Sequence, residues 1–339
     1  MTIFAKGSVL AVLALFAAAA APAFLPSAAY AQNVFALARE FPLTDFSKRS
    51  IELKDIRTGR PRRGSFPTIN DPRFVPATAQ VGVGPMEPVL SVGINGDFRA
   101  YPLRMLLFHE LVNDVVGGVP ILVSYCPLCN SGVVFDRRLD GEVMMFDNTG
   151  RLRHLDMLIY DTATESWWQQ FLGEAIVGEH TGRRLDLIPA RTESLAKFRE
   201  RAPDGLLMVP ENPDFRPYGL TSYAGEEDAV IPPALVKERF PFDLPEDLSP
   251  LERIVVVGDE AWLHSRVREE KRIESGDLVI TWDAGQNSIY DRQVIAEGRD
   301  VGNIVVQRRT DQGLVDVPYD VSFLYAFFAF KPEGTLHRE

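Results

Sequence analysis

From Val89 onward, short apolar runs separated by turn residues dominate the chain, a pattern of strands more than of long helices. Val89 to Ile94 predicts a strand, Asn95-Gly96 a tight hairpin turn, and Phe98 to Tyr101 the returning strand. Pro102 suits the first position of a helix whose apolar face is Leu103, Leu106, Leu107 and Leu111. The stretch Asn113 to Gly118 is expected to end that helix, with His109 late on it and Asn113 one turn further along the same face. Val119 to Tyr125 then predicts a strand running into Ser124-Tyr125-Cys126-Pro127-Leu128-Cys129-Asn130-Ser131-Gly132. Both cysteines of the chain are therefore expected on one tight turn between two strands.

Alternation continues at Val133 to Arg137, Val143 to Asp147, Leu155 to Tyr160 and Trp167 to Phe171. Gly141, Gly150, Gly173 and Gly182 punctuate these runs as in a meander. Thr192 to Glu200 predicts a short helix capped by Thr192. Nine prolines within the 48 residues from Pro203 to Pro250 predict a long irregular connection, after which Ile254 to Val257 resumes strand. The segment Leu278 to Arg292 repeats the order of the first block: apolar strand, aromatic residue, turn, Asn-Ser, then aromatic-Asp-Arg. Asp283 and Gln286 stand where the first block has Cys126 and Cys129, which predicts a degenerate internal duplication. The expected fold is a β-rich α+β protein of two related β blocks, with a few short helices. The expected divisions are a leader (1–31), an irregular lead-in (32–88), a first block (89–202), the proline-rich connection (203–250) and a second block (251–333).

The start of the chain fits an export signal. Lys6 precedes an apolar run from Val9 to Ala21, Pro22 and Pro26 break it, and Ala29-Tyr30-Ala31 offers a small-x-small cleavage site. Cleavage after Ala31 predicts a periplasmic or secreted product, with no later stretch long and apolar enough for an integral membrane segment. Loss of Lys6 would move the net charge from −11 to −12. An acidic chain without Lys/Arg blocks is a poor partner for nucleic acid or anionic lipid. The basic cluster Arg57 to Arg63, broken by Gly59 and Pro61, reads as a solvated loop. Two cysteines cannot staple a chain of 339 residues, so the core has to be hydrophobic.

Three chemistries fit the cysteine turn. Cys126 and Cys129 can cycle between dithiol and disulfide with a small-molecule or protein thiol partner, which favours a thiol pKa below the ordinary value. They can instead present two thiolates to copper or zinc, with His109 and His154 as the candidate further ligands. They can also form a structural disulfide in a non-catalytic binding module. His109 fits equally a proton-transfer partner for a thiol and a surface residue favoured by the helix dipole. Asp136-Arg137, echoed by Asp291-Arg292, reads as a structural ion pair, and Glu165-Ser166-Trp167-Trp168-Gln169 as core aromatics. No Ser/His/Asp order, phosphate loop or dinucleotide fingerprint is present in the sequence.

Ala100-Tyr101-Pro102-Leu103-Arg104, His109 to Asp114, Gly117 to Pro120, Tyr125 to Cys129 and Val134 to Arg137 together resemble the bacterial domain-of-unknown-function family 3179. Tyr160-Asp161, Glu165 to Trp167, Gly173 to Ile176, Ser322 to Phe327 and Lys331-Pro332 extend the resemblance to about Val89–Pro332. That family has no assigned activity, and some members resemble selenoproteins at the Cys-Pro-Leu-Cys turn. Selenium at that turn implies redox use, so the resemblance implies redox use of Cys126 and Cys129, with His109 the neighbouring proton donor or acceptor that the residues themselves suggest. Asn130 and the segment Arg153 to Asp156 depart from the family pattern.

Overall fold

The computed structural model describes residues 28–58 and 63–339. Most of the expected leader lies outside the described residues, and its last residues open helix α1 (Ala28–Glu40). The short strands β1 (Ile56–Thr58) and β2 (Arg73–Pro76) follow. The chain then runs β3 (Pro88–Ile94), β4 (Asp97–Pro102), α2 (Leu103–His109), β5 (Leu111–Val116), β6 (Val119–Cys126) and β7 (Ser131–Asp136). A small hairpin, β8 (Arg138–Leu139) with β9 (Glu142–Val143), leads to β10 (Phe146–Arg153), β11 (Asp156–Asp161), β12 (Trp167–Gln169) and β13 (Glu174–Val177). β14 (Leu187–Ile188), β15 (Ala190–Ser194), α3 (Leu195–Arg201) and β16 (Leu206–Val209) complete this half.

Beyond α4 (Pro233–Arg239) come β17 (Arg253–Val257), β18 (Glu260–Leu263), α5 (His264–Glu270), β19 (Arg272–Ser275) and β20 (Leu278–Asp283). The last elements are β21 (Asn303–Thr310), β22 (Gly313–Asp316), β23 (Asp320–Phe323), α6 (Leu324–Phe330) and β24 (Thr335–His337). The protein is β-rich with short helices, and its five larger sheets stand in a propeller-like ring.

Two pairs of sheets share one strand order. The order β15-β3-β4-β16 in the first half matches β23-β17-β18-β24 in the second, with an antiparallel first pair and a parallel last pair in each. Likewise β14-β7-β6-β5 matches β22-β21-β20-β19. The remaining large sheet, β1-β10-β11-β12-β13, joins the early strand β1 to β10–β13, which are inserted between β7 and β14 and have no counterpart in the second half. Leu37 of α1, Phe41 just after it, and both Trp167 and Tyr160 of that sheet share one apolar cluster.

β6 is buried along nearly its whole length between β5 and β7, which explains why Ile121-Leu122-Val123 runs without polar alternation. α2 ends at His109, two residues earlier than its apolar spacing predicts. Leu111 and Asn113 belong to β5 instead, because Glu110 takes a left-handed conformation (φ 59°) that stops the helix and turns the chain. Ser194, not Thr192, caps α3: its hydroxyl accepts from Lys197 N at 3.3 Å, while Thr192 pairs with Leu90 in the sheet. The proline-rich stretch is less bare than its composition implies, since β16 lies within it and pairs with both β2 and β4. Arg63 leaves the solvated loop expected of it, with its guanidinium 4.4 Å from the ring centres of both Phe41 and Tyr160.

The local repeat around Asn287 to Arg292 is not a strand. After Asp283 the chain wanders through residues 284–302 and returns as β21 at Asn303. Asp136 pairs with Arg138, while the buried Arg137 donates to the carbonyls of Ile121 (2.8 Å), Asp114 (3.0 Å) and Met144 (2.6 Å). Arg137 is therefore a clamp on three backbone segments rather than an ion-pair partner of Asp136.

Candidate functional site

Pro127 supplies the fixed φ that a β-turn wants at its second position, and Asn130 accepts a left-handed φ of 53° at the turn's exit. Cys129 N donates to Cys126 O at 3.2 Å. The two sulfurs consequently fall on the same side, 3.0 Å apart, as buried free thiols. The second half of the chain holds this turn in place. Phe323 N donates to Cys129 O (2.9 Å), Tyr325 Oη to Leu128 O (2.9 Å), Tyr290 Oη to Pro127 O (2.6 Å), and Gly132 N to Asp320 Oδ1 (2.9 Å). Each carbonyl bonded this way is a polar group that would be costly to bury alone.

The inserted sheet supplies what faces the sulfurs. β10 and β11 are joined by a two-residue hairpin, with Arg153 opposite Asp156 and both His154 (φ 52°) and Leu155 (φ 64°) left-handed. Such a turn usually carries Asn-Gly, so a leucine held there stores roughly 1 kcal/mol of backbone strain. The turn places Leu155 O 3.6 Å from Cys129 Sγ and 3.9 Å from Cys126 Sγ. Asp156 Oδ1 lies 3.3 Å from Cys129 Sγ, and its Oδ2 accepts from Gln169 Nε2 (2.6 Å) and Phe171 N (3.0 Å). Those two bonds fix the carboxylate with one oxygen aimed at the thiols.

Among the described residues, Cys126, Cys129 and Asp156 form a group whose ligand atoms all lie within 4.8 Å of one another, every one of them buried. Burial pushes both thiols up in pKa, Cys129 the further, and the nearby Asp156 adds to the effect on each. Burial also raises Asp156 to about 6 and Glu110 to about 8. Glu110 is hydrogen-bonded to Asn148, and its carbonyl accepts from Tyr125 N at 2.8 Å. The cluster is rich in acids and no basic side chain is hydrogen-bonded to the sulfurs among the described residues.

His109 and His154 fall outside this group of ligand atoms. His109 Nδ1 is 2.7 Å from Pro67 O and Nε2 is 2.8 Å from Tyr218 Oη, so both ring nitrogens are engaged away from the sulfurs. Since a carbonyl only accepts, Nδ1 carries the proton, and Nε2 accepts from the tyrosine. His154 packs on Phe242 and Phe330 in the hairpin whose next residue turns its carbonyl toward Cys129, and burial lowers it to about 4. Asp156 and the Leu155 carbonyl were not singled out by sequence. Asp156 is the second residue of the run Leu155 to Tyr160, which reads as an ordinary strand, and a backbone carbonyl leaves no mark in composition. The one available signal is the departure of Arg153 to Asp156 from the family pattern.

The family of the chain follows from its sequence over most of its length. The model of a protein family of unknown function, DUF3179, matches residues 63–334, and the chain belongs to that family. No curated protein and no solved structure matches it.

Proposed function

We propose that Cys126, Cys129 and Asp156, with the Leu155 carbonyl, form a metal-binding centre for a thiophilic divalent cation, zinc before copper. The observation that carries this reading is the spacing of the donors. A tetrahedral zinc with bonds of roughly 2.3 Å to sulfur and 2.0–2.2 Å to oxygen needs donors roughly 3.4–3.8 Å apart. The three sulfur–oxygen separations, 3.3, 3.6 and 3.9 Å, bracket that range, and the sulfur pair at 3.0 Å has to open modestly. Mixed sulfur and oxygen donors suit zinc better than cuprous copper, which prefers sulfur alone. Two buried thiols and a buried carboxyl to which, among the described residues, no cationic side chain is hydrogen-bonded also favour a metal that displaces their protons.

A second reading rests on the sulfur contact itself. At 3.0 Å the thiols are about 1 Å from disulfide length, so exchange with a small-molecule or protein disulfide would form the Cys126–Cys129 bond as the partner's S–S bond breaks, passing two electrons and two protons to the partner with little chain movement. Their burial and raised pKa oppose this, because reactive thiols are usually exposed and acidified. We also infer that the protein is exported and that its halves are diverged copies. The leader-like pattern before Gln32 supports the first inference, and the matched sheet orders support the second. Metal analysis of the purified protein, paired with a thiol count before and after reduction, tests the assignment. One equivalent of zinc with two titratable thiols after chelation is expected. A metal-free protein that remains metal-free on zinc addition, with thiols appearing only after reduction, rejects the metal centre in favour of the redox pair.

A further inference from the structure

Beside the β10–β11 hairpin a small cavity of about 100 Å³ opens, well below the roughly 300–1,000 Å³ of drug-sized sites, so an occupant can have only a few non-hydrogen atoms. His154 and Leu155 line it from the hairpin. Lys54 and Asp55 reach it from a single helical turn before β1, Arg57 from β1 itself, and Arg239 from the last residue of α4, with Pro241 beside it. The lining thus carries three cations against one acid, an excess of two positive charges in a chain whose net charge is −11. Leu155 and Pro241 are its apolar part.

Among the described residues none of these three cations is ion-paired, and residues 1–27 and 59–62 hold no Asp or Glu that could pair with them. Glu226 is within electrostatic reach of Arg239 without pairing with it. Other exposed arginines do find an acid: Arg138 holds Asp136, Arg183 holds Asp140 and Arg272 holds Glu274. Three cations brought from separate elements to one hollow repel one another unless a negative charge lies between them. His154 adds ring nitrogens that have no hydrogen-bond partner among the described residues, its ring packing only on Phe242 and Phe330. Guanidinium groups match the paired oxygens of an oxyanion, which a spherical halide does not offer. We propose that this cavity binds a small tetrahedral oxyanion of charge about −2, phosphate or sulfate, gripped by Arg57 and Arg239, with Lys54 adding charge and His154 a hydrogen bond. Leu155 lines the cavity and also turns its carbonyl to Cys129 Sγ at 3.6 Å, so the anion would sit one residue from the cysteines, whatever those hold.

Titration calorimetry of the full chain with inorganic phosphate and, separately, with sulfate tests the assignment at pH 7.5 and fixed ionic strength, with acetate as the monoanionic control. Saturable one-to-one binding of at least one of the two dianions is expected, and the tighter of them names the anion. Arg57→Gln combined with Arg239→Gln should weaken it at least about tenfold, each single change less, and acetate should bind far more weakly. Absence of saturable binding of both dianions, affinity unchanged in the double variant, or acetate binding as tightly overturns the proposal and leaves the three cations to water and salt. Both arginines are exposed, and circular dichroism of each variant checks that it is folded. Should the double variant fail to fold, the single changes and Lys54→Gln decide in the same way.

Discussion

The turn after β6 and the turn after β20 occupy matching places in two sheets of the same strand order, but only one gathers chemistry. In both halves a helix ends on a left-handed residue whose carbonyl receives the aromatic amide of the next-but-one strand. Tyr125 N bonds Glu110 O in the first, and Trp282 N bonds Lys271 O in the second. From there they diverge. The first half turns back within Pro127 to Asn130 and buries two thiols, whereas the second wanders through residues 284–302 around Asp300, which accepts from Gly285 N and Gln286 N. Glu110 is buried with Asn148 as its hydrogen-bond partner and Asp156 nearby, whereas the exposed Lys271 rests its ammonium 3.5 Å from the Trp282 ring centre. The comparison teaches that the sheet framework does not need cysteine. What distinguishes the first half is the insertion β10–β13, which brings Leu155 and Asp156 over the turn.

The sharpest break of that comparison is Cys126→Ser with Cys129→Ser. The strand order of the second half forms without thiols, so the double variant should fold, with a stability loss of roughly 1–3 kcal/mol. Its bound zinc should fall to nothing by elemental analysis, while circular dichroism stays that of the parent. Asp156→Asn comes next. It keeps an acceptor for Gln169 or Phe171 but weakens the proposed third ligand, and zinc affinity measured against a chelator should drop by more than the roughly 10–100-fold that follows loss of an outer partner.

Glu110→Gln gives a smaller, pH-dependent effect. The folded carboxyl titrates at about 8 against an ordinary 4.5, so it is held protonated in the fold. The sign follows: the folded state binds more protons than the unfolded one between those values, and the stability linked to Glu110 is lost as pH rises through about 8. Denaturant unfolding of the metal-free protein should therefore show Glu110→Gln gaining stability relative to the parent near pH 8.5 and little near pH 5. An equal difference at both pH values would contradict the burial argument. The smallest effect belongs to the other half: Lys271→Ala should remove its contact with Trp282 and cost roughly 0.5–1 kcal/mol in the same assay, without touching zinc.

Sequence patterning was enough to find the cysteine turn, the strands on both sides of it and the hairpin at Asn95-Gly96, because these rest on local turn chemistry and burial of neighbouring residues. It also placed Trp167 and Trp168 in the core. The partners of the turn were hidden for a physical reason. Leu155 contributes a backbone atom, and Asp156 becomes a neighbour of Cys129 only through pairing of β10 with β11. Helix periodicity continued past Glu110 makes His109 a companion of the thiols in sequence. The left-handed residue there ended the helix and left the ring between Pro67 and Tyr218. The matched halves were suggested by Asn-Ser and Asp-Arg pairs that do not correspond in space, since the second of them lies in a loop. Strand order, which sequence spacing does not encode, carries the correspondence.

The bonds from Tyr290, Asp320, Phe323 and Tyr325 to the cysteine turn set an order in time. All four residues lie late in the chain, so during synthesis the turn and its inserted sheet emerge well before the elements that fasten them. Until those arrive, the carbonyls of Pro127, Leu128 and Cys129 face water and the thiols are open to whatever surrounds the nascent chain. Docking of β23 and α6 is then the step that seals the sulfurs in, and a cation acquired before it would be trapped, while one arriving later would have to wait for those elements to lift.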